Sequence, residues 1–229
     1  MYPKNKDRLK NGPKMSKIIV LGATGMLGSA VSQIFQEGNR DVLCSSRNKN
    51  FTGRKDDPKN FFFDAHNSDL SELTRKLSAD DFVINCIGVV KSQINEANIE
   101  SRESAILANA VFPHKLADAA HKVGFRVIQI ATDCVYSGAK GSYSENDHFD
   151  PSDLYGLTKR AGEVPSGNFM HLRASIIGRE KNSKRSLVEW VLSLDRDAVA
   201  EGFLDHYWNG VTTAAFAKVC RGIVEFDGF

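Results

Sequence analysis

The sequence of 229 residues carries a formal net charge of +2 at pH 7, with 41% hydrophobic and 25% charged residues, which is the composition of a soluble, globular protein with one sizeable core. So small a charge gives no reason to expect a nucleic acid or a membrane surface as partner, and no apolar run approaches the roughly 20 residues of a membrane span. The polar start of the chain lacks the apolar core of a signal peptide, so we expect a cytoplasmic protein.

The chain begins with residues 1–15, which are rich in Lys and Asn and include two prolines. This composition predicts a disordered extension, and Met15 offers an alternative start. Residues 17–21 (Lys-Ile-Ile-Val-Leu) then form a short, apolar, β-branched run, which is typical of a strand buried on both faces.

A glycine-rich turn follows that strand directly and opens a helical pattern that ends near Gly38. Its sequence is Gly22-x-x-Gly25-x-x-Gly28, one residue longer than the usual dinucleotide fingerprint. Such glycines allow a tight turn, and the helix N-terminus offers free N–H groups to a pyrophosphate. A plain tight turn is the alternative. The turn residues that we expect to bind the cofactor are Gly22, Thr24, Gly25, Met26 and Leu27.

The end of the second predicted strand, residues 41–45, indicates which cofactor is bound. An NAD site places an acid there, about 20 residues past the glycines, to bind the ribose. Here the positions hold Ser45, Ser46 and Arg47, and a guanidinium suits a 2′-phosphate. We therefore expect NADP(H) to be preferred, with NAD(H) as the second option. The alternative is an ordinary solvated basic loop formed by Arg47 and Lys49.

Two further strand ends are expected beside the cofactor. Residues 61–63 form a third strand that ends in Asp64. Its carboxylate either accepts a hydrogen bond from an adenine amino group or caps the next helix. Residues 82–88 form the fourth strand, which would bring Asn85 and Gly88 close to the cofactor.

Two helical segments are predicted around these strands, over residues 69–77 and 94–124. Pro113 marks a break or a kink in the second segment, and Gly124 ends it. The apolar run of residues 127–131 then predicts a fifth buried strand.

Thr132, Tyr155 and Lys159 are the predicted catalytic residues. Thr132 lies at the carboxyl end of the fifth strand, where open α/β sheets bind ligands. Tyr155 and Lys159 are four residues apart and so share a helix face, where an ammonium stabilises a phenolate. Together these groups suit hydride transfer to a carbonyl, and Tyr155 and Lys159 are also expected to hold the cofactor. A Tyr-x-x-x-Lys pair also occurs by chance on many helices. The polar loop of residues 137–151 suits an active-site rim.

The cysteines and histidines show no metal-binding spacing, and we predict no metal site. Residues 170–173 form a sixth predicted strand. Beyond Gly178 the pattern weakens to a basic stretch at residues 181–185, an apolar segment at residues 187–194 and a last helix at residues 212–224.

With these residues in place, the chain resembles the extended short-chain dehydrogenase/reductase family, and within it the dTDP-4-dehydrorhamnose reductase-like branch. The resemblance covers about residues 16–225 and is specific for the family rather than for a substrate. It rests on Gly22-x-x-Gly25-x-x-Gly28, Asp64, Asn85 to Gly88, Ala131 to Gly138, Tyr155-x-x-x-Lys159, His171 to Arg173 and Trp208 to Thr212.

The resemblance implies an α/β fold with a Rossmann-like, doubly wound parallel sheet, a nicotinamide cofactor and the catalytic set of Thr132, Tyr155 and Lys159. It also suggests a family asparagine at Asn109. Family members continue well past this length, so we expect a small C-terminal substrate lobe that is either minimal or truncated. The expected division is an extension at 1–15, an NAD(P)-binding Rossmann domain at 16–178 and a partial substrate lobe at 179–229.

The predicted function is reduction of a nucleotide-linked keto-sugar, with no nucleic acid or membrane as partner and a homodimer as one possible assembly. A nucleotide-sugar epimerase is the near alternative, because the same residues can remove and return a hydride. A non-catalytic, NADP-binding regulatory subunit on the same fold is the second class of function, since a fold alone does not fix an activity.

Overall fold

The computed structural model describes residues 16–48, 59–180, 186–205, 207–226 and 228–229. The expected extension, Lys49 and the basic stretch at 181–185 lie outside these residues. None of the described helices has both the length and the apolar character that a membrane crossing requires. Within the same residues, no group of three or more His, Cys, Asp and Glu side chains is placed to hold a metal ion.

Six parallel strands form the central sheet in the order β3-β2-β1-β4-β5-β6. The strand order reverses between β1 and β4, which is the point where open α/β sheets bind ligands. The predicted Rossmann-like fold is therefore confirmed. The strands are β1 Ile18–Leu21, β2 Val42–Ser46, β3 Asn60–Phe62, β4 Phe82–Asn85, β5 Arg126–Ile130 and β6 Phe169–Leu172.

Helices cover both faces of the sheet, and two short strands, β7 and β8, pair beside it. The sequence did not predict β7 and β8, which have only two residues each. The helices are α1 Met26–Glu37, α2 Leu70–Thr74, α3 Ile99–Ile106, α4 Phe112–Val123, α5 Leu154–Ala161, α6 Leu187–Leu192 and α7 Thr213–Glu225, and the short strands are β7 Ile176–Ile177 and β8 Val211–Thr212.

Two hydrophobic clusters lie on opposite faces of the sheet, because successive side chains of a strand point to opposite sides. Ile18 and Val20 of β1 pack with one cluster, whereas Ile19 and Leu21 pack with the other. All four side chains are fully buried. The strand is thus buried on both faces, as its unbroken apolar run predicted.

Helix α7 belongs to the first of these clusters, although it lies within the segment expected to form a substrate lobe. Its Phe216 and Cys220 are buried with Val31 and Phe35 of α1. The last helix of the chain therefore completes the core of the main sheet. The apolar face of α7 covers α1, while the expected division at residue 178 stays a prediction.

The long helical segment bends around Pro113 without breaking. A π-helical turn, Leu107–Val111, joins α3 to α4. Pro113 has no N–H to donate to the carbonyl of Asn109, four residues earlier, and the wider turn accommodates that missing bond. Gly162 packs against this carbonyl, since a Cβ there would lie 2.0 Å from the Asn109 oxygen. Helix α5 can therefore approach the π turn closely.

Candidate active site

A cleft of about 1070 Å³ opens at the point where the strand order reverses. It contains six of the residues predicted to bind a cofactor, and it also contains His66 and Val89, which the sequence did not single out. The predicted residues that line it are Gly22, Thr24, Gly25, Arg47, Asp64 and Gly88.

Glycine occupies each of the three positions of this turn for a different physical reason. Gly22 has a φ of +74°, which other residues rarely adopt. A Cβ at Gly28 would lie 2.2 Å from the Gly22 carbonyl oxygen, so that position admits only glycine in this fold. A Cβ at Gly25 would lie 3.4 Å from the same oxygen, an ordinary contact, and Gly25 faces the cleft. The absence of a side chain at Gly25 therefore leaves room for a ligand rather than for the protein.

Met26 and Leu27, also predicted to contact the cofactor, are placed differently. They form the first turn of α1, and the side chain of Leu27 is buried in the core. Neither residue lines the cleft. Their backbone N–H groups lie at the N-terminus of α1, where such groups have no acceptor inside the helix.

Ser45 and Ser46 hold the glycine-rich turn, a role that sequence reasoning missed. The backbone N–H of Gly22 donates to Ser45 Oγ at 3.1 Å. The N–H of Ala23 donates to the carbonyl of Ser45 at 2.9 Å, and the hydroxyls of Thr24 and Ser46 lie 3.3 Å apart. The end of β2 thus fixes the turn while leaving its outer side to the cleft.

Asp64 remains in the cleft because another residue caps the following helix. Asp69 accepts the cap bond from the N–H of Ser71 at 2.9 Å, so the prediction that Asp64 caps that helix is wrong. Burial raises the pKa of Asp64, but hydrogen bonds from the His66 backbone and the Asn67 side chain outweigh it, with a smaller effect of the Arg47 charge, and the pKa is lowered. Asp64 is therefore an ionised acceptor beside Arg47.

Asn85 lies beneath the cleft rather than in it. Its side chain is fully buried, donates to Gln129 Oε1 at 2.7 Å and accepts from the N–H of Ile87 at 3.1 Å. Both ends of this amide bond the protein, and Asn85 is not among the residues that line the cleft. Asn85 supports the backbone that leads to Gly88.

Thr132, Tyr155 and Lys159 come together at the end of the cleft marked by Gly88. The hydroxyl of Thr132 is close enough to that of Tyr155 to lower the pKa of the phenol. Lys159 Nζ donates to the carbonyl of Ile130 at 2.7 Å, and a Cβ at Gly88 would lie 3.7 Å from that nitrogen. The three predicted catalytic groups thus occupy one place, which adjoins the proposed cofactor cleft.

The ionisation of Tyr155 differs from the expectation that the Lys159 ammonium favours its phenolate. Burial raises the pKa of Tyr155 to about 12, against the opposing effect of the Thr132 hydrogen bond. The charges that act on the phenol are those of Cys134, Asp133 and Asp153, which raise its pKa further. Burial lowers the pKa of Lys159 to about 8. The phenol is therefore a proton donor at neutral pH.

Asn109 connects the cleft to the helix of Tyr155 and Lys159 through hydrogen bonds. Its Oδ1 accepts from the N–H of Val89 at 2.9 Å. Its Nδ2 donates to the Val89 carbonyl at 2.9 Å and to Thr158 Oγ1 at 3.1 Å. Asn109 lies on the π turn, so the distorted helix and the bare Gly162 place this amide between two elements of the site. Pro113 was the sequence signal for the distortion.

The loop of residues 137–150 is folded around its own aromatic side chains. The rings of Tyr136 and Tyr143 stack with centroids 4.6 Å apart. The Arg173 guanidinium lies 4.7 Å from the centroid of Phe149 and donates to the Tyr136 hydroxyl at 3.2 Å. The rim expected from the polar sequence is therefore a compact loop anchored on Arg173.

Arg173 forms an ion pair with Glu163. Its Nε and Nη2 donate to the two carboxylate oxygens of Glu163 at 2.7 and 2.6 Å. Glu163 follows Lys159 by one helical turn. The pair therefore connects the rim loop to the end of the catalytic helix.

Fold and site together define a Rossmann-like α/β protein with a Thr-Tyr-Lys constellation beside its main cleft. The chain matches the RmlD substrate binding domain family over residues 15–179 and belongs to that family, which confirms the resemblance to the extended short-chain dehydrogenase/reductase proteins.

Two curated relatives bear different names. The chain is 30% identical over 220 residues to methionine adenosyltransferase 2 subunit beta of Mus musculus, covering 91% of this chain and 62% of that protein. It is 28% identical over 155 residues to dTDP-4-dehydrorhamnose reductase of Mycobacterium tuberculosis, covering 66% of this chain and 45% of that protein. The chain thus spans about three fifths or less of these two proteins.

Solved structures confirm the fold. A dTDP-4-dehydrorhamnose reductase from Clostridium acetobutylicum superposes with a TM-score of 0.73 at 23% identity, covering 93% of this chain and 71% of that one. The enzyme of the same name from Bacillus anthracis, solved in complex with NADP, gives a TM-score of 0.73 at 20% identity, covering 92% and 70%. At these identities the likeness concerns the fold alone.

Proposed function

We propose that the protein is an NADP(H)-dependent reductase of a nucleotide-linked keto-sugar. The observation that carries this proposal is the position of Thr132, Tyr155 and Lys159 at one end of a cleft whose other end holds Arg47 and Asp64. Hydroxyl, phenol and amine suit reduction of a carbonyl. The names of the reductase relatives support the nucleotide-sugar as substrate class.

The cleft suits a nicotinamide dinucleotide. Gly25 leaves space beside the first turn of α1, whose backbone N–H groups favour a pyrophosphate. Asp64 is an ionised acceptor suited to an adenine amino group, and Arg47 offers a cation to a 2′-phosphate. When bound, the cofactor supplies the hydride.

In the proposed reaction, Thr132 and Tyr155 donate hydrogen bonds to the carbonyl oxygen of the sugar. That oxygen gains negative charge as the carbon receives the hydride, so both donors bind the transition state better than the ketone. Tyr155 then transfers its hydroxyl proton to the oxygen, which yields the alcohol, and regains a proton from solvent. The raised pKa of Tyr155 keeps that proton in place at neutral pH.

Lys159 is proposed to act as a positioning residue of the site. Its Nζ bonds the carbonyl of Ile130 and lies next to Gly88, where the cofactor ribose would pass. Burial lowers the pKa of Lys159 to about 8. A bound ligand or a phenolate beside it can therefore change the charge of Lys159 near neutral pH. A change at Lys159 should therefore affect both cofactor binding and turnover.

The direct test is NADPH oxidation by the purified protein with a panel of nucleotide-linked 4-keto-sugars. We expect turnover with at least one of them, and we expect Tyr155→Phe to lower it by about 10²-fold while NADPH affinity stays nearly unchanged. A Tyr155→Phe protein with near-normal turnover would show that the tyrosine is structural.

Two alternatives have their own signatures. The similarity to methionine adenosyltransferase 2 subunit beta favours a non-catalytic, cofactor-binding subunit as the second candidate. Stoichiometric NADPH binding without oxidation by any keto-sugar would support it. An epimerase would form product without net loss of NADPH, which progress curves of product and NADPH absorbance separate from a reductase.

A further inference from the structure

An indole side chain lies beside the small β7–β8 sheet, on the segment that leads into β8. Trp208 is 55% exposed. A Cβ at Gly210 would lie 2.2 Å from Cζ2 and 2.4 Å from Cε2 of its ring, so the ring packs directly on the bare backbone of that glycine. The same Cβ would lie 2.5 Å from the carbonyl oxygen of Ser175. The ring is therefore held against the start of the small β7–β8 sheet.

Ser175 links this sheet to the catalytic threonine. Its hydroxyl lies 2.9 and 2.8 Å from the two carboxylate oxygens of Asp133, and its carbonyl accepts from the N–H of Val211 at 2.9 Å. Asp133 directly follows Thr132, whose hydroxyl donates to Asp133 Oδ1 at 3.4 Å. A short series of contacts thus connects the indole with the groups that would hold the reacting carbonyl.

Gly210 is the feature that makes this placement specific. Any side chain there would occupy the space of the indole, so the bare position and the ring form a matched pair. A tryptophan whose surroundings fix one edge while much of its surface stays open is suited to contact with a flat, partly apolar ligand face. The C–H face of a pyranose ring has that character.

We propose that Trp208 is a substrate platform that packs on the sugar ring of the nucleotide-sugar; this inference rests on the proposed function. The sugar, rather than the nucleobase, is assigned to the indole because the reacting carbonyl belongs to the sugar and the contacts through Ser175 and Asp133 end at Thr132. The base lies beyond the diphosphate, farther from these residues.

The chain offers a clean fluorescence test, because Trp190 and Trp208 are its two tryptophans. Trp190 lies on α6, outside the proposed site. In Trp190→Phe, the emission of Trp208 is followed with NADP+ present during titration with dTDP-glucose, which has no keto group and does not react. We expect a saturable change in emission, and a much smaller one with dTDP alone. The matched variant Trp208→Phe, in which Trp190 reports, should show no change.

Affinity gives the second measurement. Trp208→Leu should raise the Kd for dTDP-glucose by about tenfold, whereas Trp208→Phe, which keeps a ring, should raise it much less. The Kd for NADPH and the melting temperature should stay close to those of the wild type in both variants. Calorimetry provides all three values on the full chain.

Three outcomes would overturn the inference. An equal emission change with dTDP and dTDP-glucose would assign the indole to the base. Wild-type affinity for dTDP-glucose in Trp208→Leu would show that the ring does not contact the ligand. Failure of the wild type to bind any nucleotide-sugar, while it binds NADPH, would remove the proposed function as well, which distinguishes that result from the first two.

Discussion

The sheet body and the segment between α6 and β8 are built in opposite ways. In the body, large apolar side chains such as Phe35 and Phe82 are fully buried in the two clusters that cover the sheet. In residues 187–211, Leu192 and Val199 face solvent, and Leu204 is fully exposed. The body therefore carries the hydrophobic stabilisation, whereas the segment is held by polar contacts.

Those polar contacts are few and specific. Arg179 Nε donates to Glu189 at 2.6 Å, and Ser186 caps α6 through the N–H of Glu189. The β7–β8 pair adds a short sheet beside Asp133. The hydrophobic core and the proposed substrate platform are thus located in different parts of the chain, and each of the following variants tests that separation.

The largest difference is expected between two apolar truncations. Phe35→Ala should lower the free energy of unfolding by about 3–5 kcal/mol, because it removes a fully buried ring and leaves a cavity. Leu204→Ala should change it by less than about 0.5 kcal/mol, because that side chain is exposed. Urea unfolding followed by circular dichroism measures both. Equal losses would show that the segment has a core of its own.

Because Lys159 loses its proton more readily in the folded chain than in the unfolded chain, the folded protein should become more stable as the pH rises. Its pKa is lowered from 10.5 to about 8, so between these values the unfolded chain keeps a proton that the folded chain has released. Stability from this group therefore increases from pH 8 to pH 10, by about 2 kcal/mol. Comparison of the wild type with Lys159→Met isolates the effect from other titrating groups. Parallel pH profiles of the two proteins would contradict it.

Two ion pairs, one in the sheet body and one in the segment, should contribute different amounts to the free energy of unfolding. Glu163→Gln weakens the half-buried pair with Arg173 and should cost about 2 kcal/mol of unfolding free energy. Glu189→Gln weakens the pair with Arg179, whose side chain is 70% exposed, and should cost less than about 1 kcal/mol. Glu163→Gln should also increase hydrogen exchange in the rim loop of residues 137–150. Unchanged exchange there would show that the pair does not anchor the loop.

The smallest effect concerns cofactor choice, which should depend on the body alone. Arg47→Ala should weaken NADPH binding by about 1 kcal/mol and leave NADH nearly unaffected, because only NADPH carries a 2′-phosphate for the guanidinium. Calorimetry with both cofactors measures the ratio. Tighter binding of NADH than NADPH by the wild type would exclude the preference.

The sequence predicted what local patterns encode. The apolar run of β1, the glycines of the first turn and the spacing of Tyr155 and Lys159 each specify a structure within a few residues, and all were placed as expected. The carboxyl ends of neighbouring parallel strands meet at one edge, so Thr132 could be expected at the cleft.

The remaining features depend on contacts between distant parts of the chain. Asn109 reaches Val89 and Thr158 only because a π turn and a bare glycine bring three elements together. The pairing of Arg173 with Glu163 likewise depends on how the end of the catalytic helix lies against β6. Such partners have no local pattern. The phenol pKa likewise depends on burial, which the sequence spacing does not give.

The position of α7 has a consequence for the order in which the protein folds. Strand β1 pairs with β4, so that Ile18 lies opposite Phe82, and its core face is covered by Phe216 of α7 near the other end of the sequence. Contacts between such distant segments form slowly, because a long loop must close first. During synthesis, the apolar first strand therefore emerges long before its covering helix. Until α7 has been synthesised, this apolar face of β1 lacks its covering helix, and exposed apolar surface of this kind favours aggregation.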